Sequence, residues 1–188
     1  MSLKVLPGQS YPLGATVYAV GVNFCVYSKH ATGLDLLLFN NDNLTEPSRI
    51  ITLDPKRNRT FYYWHVFVPG LKAGQVYGFR AHGPFEPSQG HRFDATKVLI
   101  DPYARAIVGD ETYDRKSAIT PGDNCPTALK SVVVDTRSYD WEGDRPLRIP
   151  YANSVIYEMH VGGFTCHSSS GLPEEQRGTF AGLIEKIP

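Results

Sequence analysis

The feature that most constrains this chain is a succession of short apolar runs through its first 82 residues, each closed by turn chemistry. Val22-Asn23-Phe24-Cys25-Val26 alternates apolar and less apolar positions, as a half-buried strand does. Leu34 to Phe39, Arg49 to Leu53, Phe61 to Val68 and Gln75 to His82 follow as further runs, with Pro69-Gly70 and Gly74 marking turns between the last two. No helical period of useful length precedes about residue 90. Strands at this spacing read as a mainly β chain, an antiparallel β-sandwich over residues 7–110. On the fourth run, Phe61, Tyr63, His65 and Phe67 fall on one face and Tyr62, Trp64, Val66 and Val68 on the other, one of which is expected to pack the core.

From Gly83-Pro84-Phe85-Glu86-Pro87 onward the chain turns rich in Pro, Gly, Asp and Arg. Ser131 to Asp135 reads as one short strand, and residues 111–150 read as an irregular connector. Connectors this long inside compact domains are usually functional or pinned to a surface. Residues 151–188 change character again. Ser154 to Val161 reads as a strand, and Gly162-Gly163 breaks it. After a polar loop, Gly178 to Ile187 reads as a helix with Thr179 as its N-cap and Phe180, Leu183, Ile184 and Ile187 on one face. A lone strand cannot satisfy its backbone or cover both faces, so this β-loop-α unit is expected to belong to a larger, truncated domain. The 188 residues do not suffice for a sandwich plus a full (β/α)8 barrel, which takes roughly 250 residues by itself. Met1-Ser2-Leu3 reads as a cloning remnant outside the fold.

Composition excludes several functions. With 19 basic and 19 acidic residues and no long basic run, neither nucleic acid nor an anionic membrane surface is an expected partner. Cys25, Cys125 and Cys166 are odd in number and widely spaced, which argues against disulfides or zinc and for a reducing, cytoplasmic setting. His65, His82 and His91 lack metal-ligand spacing, so no metal or cofactor is expected. The chain carries 11 Tyr, 9 Phe and 2 Trp. Most should pack sheets, yet an aromatic face also suits the C–H face of a hexose. Trp64, Tyr77 and Phe79 are the candidate sugar contacts on that ground.

Several ordered blocks resemble isoamylase-type glycogen-debranching enzymes. They are Pro12-Leu13-Gly14-Ala15-Thr16, Gly21-Val22-Asn23-Phe24 with Ser28, and Tyr77-Gly78-Phe79-Arg80-Ala81-His82-Gly83-Pro84. Gly90-His91-Arg92-Phe93-Asp94, then Lys97, Leu99 and Asp101-Pro102-Tyr103-Ala104, continue the likeness. Ile156-Tyr157-Glu158-Met159-His160-Val161 with Gly163-Phe164-Thr165 looks like the family's first barrel strand. One departure is Gly162, where the family usually carries Arg or Lys. The resemblance implies an immunoglobulin-like sandwich of the starch- and glycogen-binding kind, then the start of an α-amylase-type barrel that hydrolyses α-1,6 branches with retention. It implies an α-glucan and the absent barrel as partners.

A retaining glycosidase needs two carboxylates about 5 Å apart. The family's working carboxylates lie on later barrel strands, so no catalytic residue is assigned within this chain and the fragment is expected to be inactive. Glu158 and His160 share a strand face in this reading, and His160 is the candidate for the border of the substrate cleft in the full enzyme. Glu174-Glu175 and Asp110-Glu111 are adjacent acids that point apart and read as solvated surface. The other readings are a stand-alone glycogen- or starch-binding module, or the front of a branching enzyme, pullulanase or trehalose-releasing hydrolase.

Overall fold

The computed structural model describes residues 4–187; Met1-Ser2-Leu3 and Pro188 lie outside the described residues. Contacts divide the chain into two units, one through Tyr139 and one from Asp140.

The first unit is mainly β. Its strands in chain order are β1 (Gly14–Tyr18), β2 (Gly21–Tyr27), β3 (Gly33–Phe39), β4 (Arg49–Leu53), β5 (Arg59–Thr60), β6 (Tyr63–Pro69), β7 (Val76–His82), β8 (Phe85–Glu86), β9 (His91–Arg92), β10 (Ala106–Val108) and β11 (Lys130–Val132). Two antiparallel sheets carry the fold, ordered β1-β2-β6-β5 and β10-β11-β7-β3-β4, while β8 and β9 form a small ribbon. The period of two then sets the core. Val22, Phe24 and Val26 of β2 and Trp64, Val66 and Val68 of β6 project from the first sheet. Leu34, Leu36 and Leu38 of β3 and Tyr77, Phe79 and Ala81 of β7 meet them from the second. Both sheets also have much of their outer faces covered, the edge strand β4 excepted, where Ile50 and Thr52 are exposed.

A strap of residues 5–11 covers the outer face of the four-stranded sheet. Asn23 reads it through both amide groups: Gln9 N donates to Oδ1 at 2.8 Å and Nδ2 donates to Gln9 O at 3.0 Å. Cys25 Sγ donates to Ser10 O at 3.2 Å. Beside them His65 Nδ1 bonds Pro7 O at 2.8 Å, and a carbonyl only accepts, so Nδ1 carries the proton and Nε2 accepts from Thr60 Oγ1 at 2.9 Å.

The segment from Val98 to Ala128 covers the outer face of the five-stranded sheet, where Leu37, Phe39 and Val76 pack against Val98, Cys125 and Ala128. Gly78 permits the close approach: a Cβ there would sit 2.9 Å from Val98 Cγ1 and 3.3 Å from Leu99 O. The covering segment includes α1 (Arg115–Ile119), capped by Asp114, whose side chain accepts from Lys116 N and Ser117 N. Two buried ammonium groups hold it. Lys97 Nζ donates to the carbonyls of Ser117, Thr120 and Gly122. Lys130 Nζ donates to Cys125 O at 2.6 Å and Ala128 O at 2.7 Å and lies 5.3 Å from the Phe39 ring centre.

The connector expected over 111–150 is therefore tied to the sandwich for much of its length: β11 joins the sheet beside β7 and Val133 enters the core. The physical reason is that β7 would otherwise leave an edge and an apolar face uncovered.

The second unit corrects the reading of its first element. Ser154 to His160 carries no strand or helix, and these residues are exposed, Val155 at 97%. The alternation is real, but a strand exists only where a neighbour completes its hydrogen bonds. Val161–Thr165 instead forms a one-turn helix, α2, and the expected terminal helix is shorter, α3 (Phe180–Ile184). Thr179 is its N-cap, with the side chain accepting from Gly182 N at 3.1 Å. Thr165, Leu172 and Gly182 are buried within this unit. Among the described residues no helix is long and apolar enough to cross a membrane.

Candidate functional site

The three aromatics singled out from sequence all lie in the sandwich core. Trp64 is 0% exposed, and its Nε1 donates to Ser28 O at 3.3 Å. Tyr77 packs edge-on to Phe24 at 4.9 Å and to Phe79 at 5.9 Å between ring centres. Phe79 is also buried. None offers a free face on which a hexose could stack, because each points from its strand toward the opposite sheet. His160 sits in the second unit as the N-cap of α2, its Nδ1 accepting from Gly163 N at 2.9 Å. With no strand at this position, the shared face of Glu158 and His160 is not formed.

Other aromatics gather on the surface at one end of the sandwich. Pairing of Arg59 with Trp64 and Thr60 with Tyr63 closes β5 and β6 into a hairpin whose two-residue turn is Phe61-Tyr62. Phe61 adopts φ 54°, in the left-handed region that Gly and Asn enter most easily, and its side chain is 85% exposed. Arg59 Nε donates to Phe61 O at 2.7 Å and fixes the turn.

Tyr62 meets Tyr27, the last residue of β2, edge-on at 6.1 Å, and Tyr27 meets Tyr63 at 5.5 Å. The Lys29 ammonium lies 6.0 Å and the Arg59 guanidinium 5.9 Å from the Tyr62 ring centre, within the reach of cation–π attraction.

A cleft of about 450 Å³ opens beside this group, with Tyr27, Ser28, His91, Phe93 and Asp94 among its walls. His91 stacks tilted on His30 at 4.4 Å and faces Phe93 at 6.5 Å, so rings run from the hairpin tip along the cleft. Asp94 is its only carboxylate, held below the ordinary carboxylate pKa by the Thr96 hydroxyl and amide. A lone ionised carboxylate binds and orients polar ligands; it does not supply a nucleophile and an acid/base.

The surface aromatics are hidden in the sequence by one strand boundary: β6 begins at Tyr63, not at Phe61. Reading Phe61 to Val68 as a single strand aligns Tyr62 with Trp64, whereas the turn separates them. The available signal was Ser28-Lys29-His30 after Tyr27, a polar break that leaves the last ring of β2 at the sandwich end.

Two antiparallel sheets packed face to face, with exposed rings beside a cleft at one end, define the class as a β-sandwich module. Residues 12–104 match the family model of carbohydrate-binding module 48, described as the isoamylase N-terminal domain. The chain as a whole is similar to isoamylase 1, chloroplastic, of Oryza sativa subsp. japonica, 43% identical over 187 residues that make up 98% of this chain and 23% of that protein. It is likewise similar to the glycogen debranching enzyme of Yersinia enterocolitica, 44% identical over 94% of this chain and 26% of that protein. The chain thus spans about a quarter of the length of these curated relatives. In fold it is similar to the Group B Streptococcus pullulanase SAP, with a TM-score of 0.61 and 23% identity over 95% of this chain and 22% of that one.

Proposed function

We propose that this chain is the accessory-sandwich portion of a debranching hydrolase that cleaves α-1,6-glucosidic linkages in glycogen or a related α-glucan. The observation that carries this reading is identity above 40% along nearly the whole chain to proteins named isoamylase and glycogen debranching enzyme. Cleavage with retention requires a nucleophile and an acid/base about 5 Å apart. Three clefts in the described residues hold at most one carboxylate each: Asp94 in one, Asp42 in another and none in a third. The hydrolytic pair is therefore assigned to other parts of the longer protein, and the 188 residues alone are inert.

In this reading Ser154 to Val161 becomes the first strand of an α-amylase-type barrel when neighbouring strands are supplied. Its exposed Val155, Ile156 and Tyr157 support that. His160 then stands near the strand's C-terminal end, where barrel enzymes place their substrate clefts. A reducing compartment, the cytoplasm, suits the three unpaired cysteines.

The test is an assay on glycogen of the longer protein that carries this chain, beside the 188-residue polypeptide. Release of linear chains by the former and none by the latter is expected. Transfer of chains to new branch points, or debranching by the 188 residues alone, would overturn the assignment.

A further inference from the structure

We propose that the sandwich end formed by Phe61, Tyr62 and Tyr27, continuing into the cleft lined by Ser28, His91 and Phe93, is an α-glucan-binding subsite. This deepens the reading above and rests on it for the ligand class.

Accessibility selects the place. The strap of residues 5–11 and the segment 98–128 cover the central strands of the two outer sheet faces, leaving edge strand β4 open, and the inner faces form the core. A glucan chain must therefore meet this module at an end or an edge. At this end Tyr27 is 48%, Tyr62 41% and Phe61 85% exposed.

Chemistry selects the ligand. A glucose residue presents an apolar C–H face and a rim of hydroxyls. Tyrosine offers a matching apolar ring with a polar tip. Lys29 and Arg59 stand over Tyr62 and provide donors for sugar hydroxyls, and both are engaged with rings, which lowers their appeal to a free anion. The cleft beyond Tyr27 adds the Ser28 hydroxyl, the His91 ring and the Asp94 carboxylate, which suit a neutral hydroxyl-rich ligand.

Backbone conformation supports the same place. Phe61 holds a positive φ that strains a bulky residue, and no burial of its ring compensates the strain. Strain kept at an exposed aromatic tip points to a contact made by that ring.

The experiment is titration of the 188-residue chain with maltoheptaose, alongside Tyr27→Ala, Tyr62→Ala, Tyr62→Phe and Phe61→Gly. Thermal unfolding of each variant monitors the fold. Millimolar or tighter binding is expected, weakened roughly fivefold to tenfold by Tyr27→Ala and by Tyr62→Ala and retained by Tyr62→Phe. Phe61→Gly relieves the left-handed backbone, so it is expected to unfold at a higher temperature while binding less well, a combination that a merely structural role does not produce. Unchanged affinity in the alanine variants, or no binding by the unsubstituted chain at millimolar ligand, overturns the subsite. Branch cleavage by the longer protein is read separately, so the subsite can fail while the debranching assignment stands.

Discussion

The hydroxyl of Tyr77 donates to Asp101 Oδ2 across 2.8 Å, with both residues at or below 1% exposure. Asp101 also accepts from Tyr103 N at 2.8 Å, and its own amide donates to Ser131 Oγ at 2.8 Å. Asp101 thus fastens the loop after Ile100 to β7 through its side chain and to β11 through its backbone amide. Burial pushes its carboxyl above the ordinary range, against the opposing pull of Tyr103 N–H and the Tyr77 hydroxyl.

The pH consequence follows from that sign. The folded chain holds this proton more tightly than the unfolded chain. The resulting stabilisation is complete below the ordinary carboxylate pKa of about 4 and is lost as pH rises through the elevated folded value. Asp101→Asn removes the buried charge and keeps the shape. It is expected to match or exceed the parent's stability at neutral pH and to flatten its decline above about pH 4. Urea denaturation across that window checks it.

Lys130→Met should loosen the cover over the five-stranded sheet. It leaves the carbonyls of Cys125 and Ala128 without their donor, at a cost of about 2 kcal/mol or more. Chemical denaturation gives the cost, and amide exchange should accelerate first in residues 123–129.

Gly78→Ala forces a methyl group against Val98 and the Leu99 carbonyl. A loss of about 1–3 kcal/mol is expected. The paired Phe79 and Leu99 amides, which bond each other's carbonyls at 2.9 and 2.8 Å, should lose exchange protection with it.

Trp64→Ala and Tyr62→Ala lie two residues apart and should differ sharply. The first empties a fully buried core position and is expected to cost about 3–5 kcal/mol. The second trims a half-exposed ring and should stay within about 1 kcal/mol. Thermal melts of the two variants under one buffer condition decide the comparison.

Residues 154–160 should exchange their amides far faster than Val22–Val26, because they carry no ladder while β2 is paired on both sides. Slow exchange throughout the segment would contradict this arrangement.

What the sequence revealed follows from where the signal is local. β2, β3, β4 and β7 lie within a residue of their alternating runs, since each presents one face to the core. β1 is half-buried along most of its length and has weak alternation. β5, β8 and β9 are two residues each, too short to show any period. The N-cap at Thr179 was readable because a cap is made by its own neighbours. The strand expected at Ser154 was not settled by its pattern, because pairing is a property of two segments. For the site, aromatic type was legible and aromatic placement was not: a two-residue turn at Phe61-Tyr62 decides which rings enter the core and which reach solvent.

The strap across the four-stranded sheet makes Cys25 a clock. Its thiol is fully buried, bonded to Ser10 O, and pushed up to about 11 by burial and the nearby Asp101 carboxylate. An alkylating reagent can reach a reactive thiolate there only after the strap lifts and returns the group toward its ordinary acidity. Exposed Cys166 reacts without waiting and serves as the reference. The ratio of the two labelling rates therefore counts the openings of one seven-residue flap, in a molecule that needs no added probe.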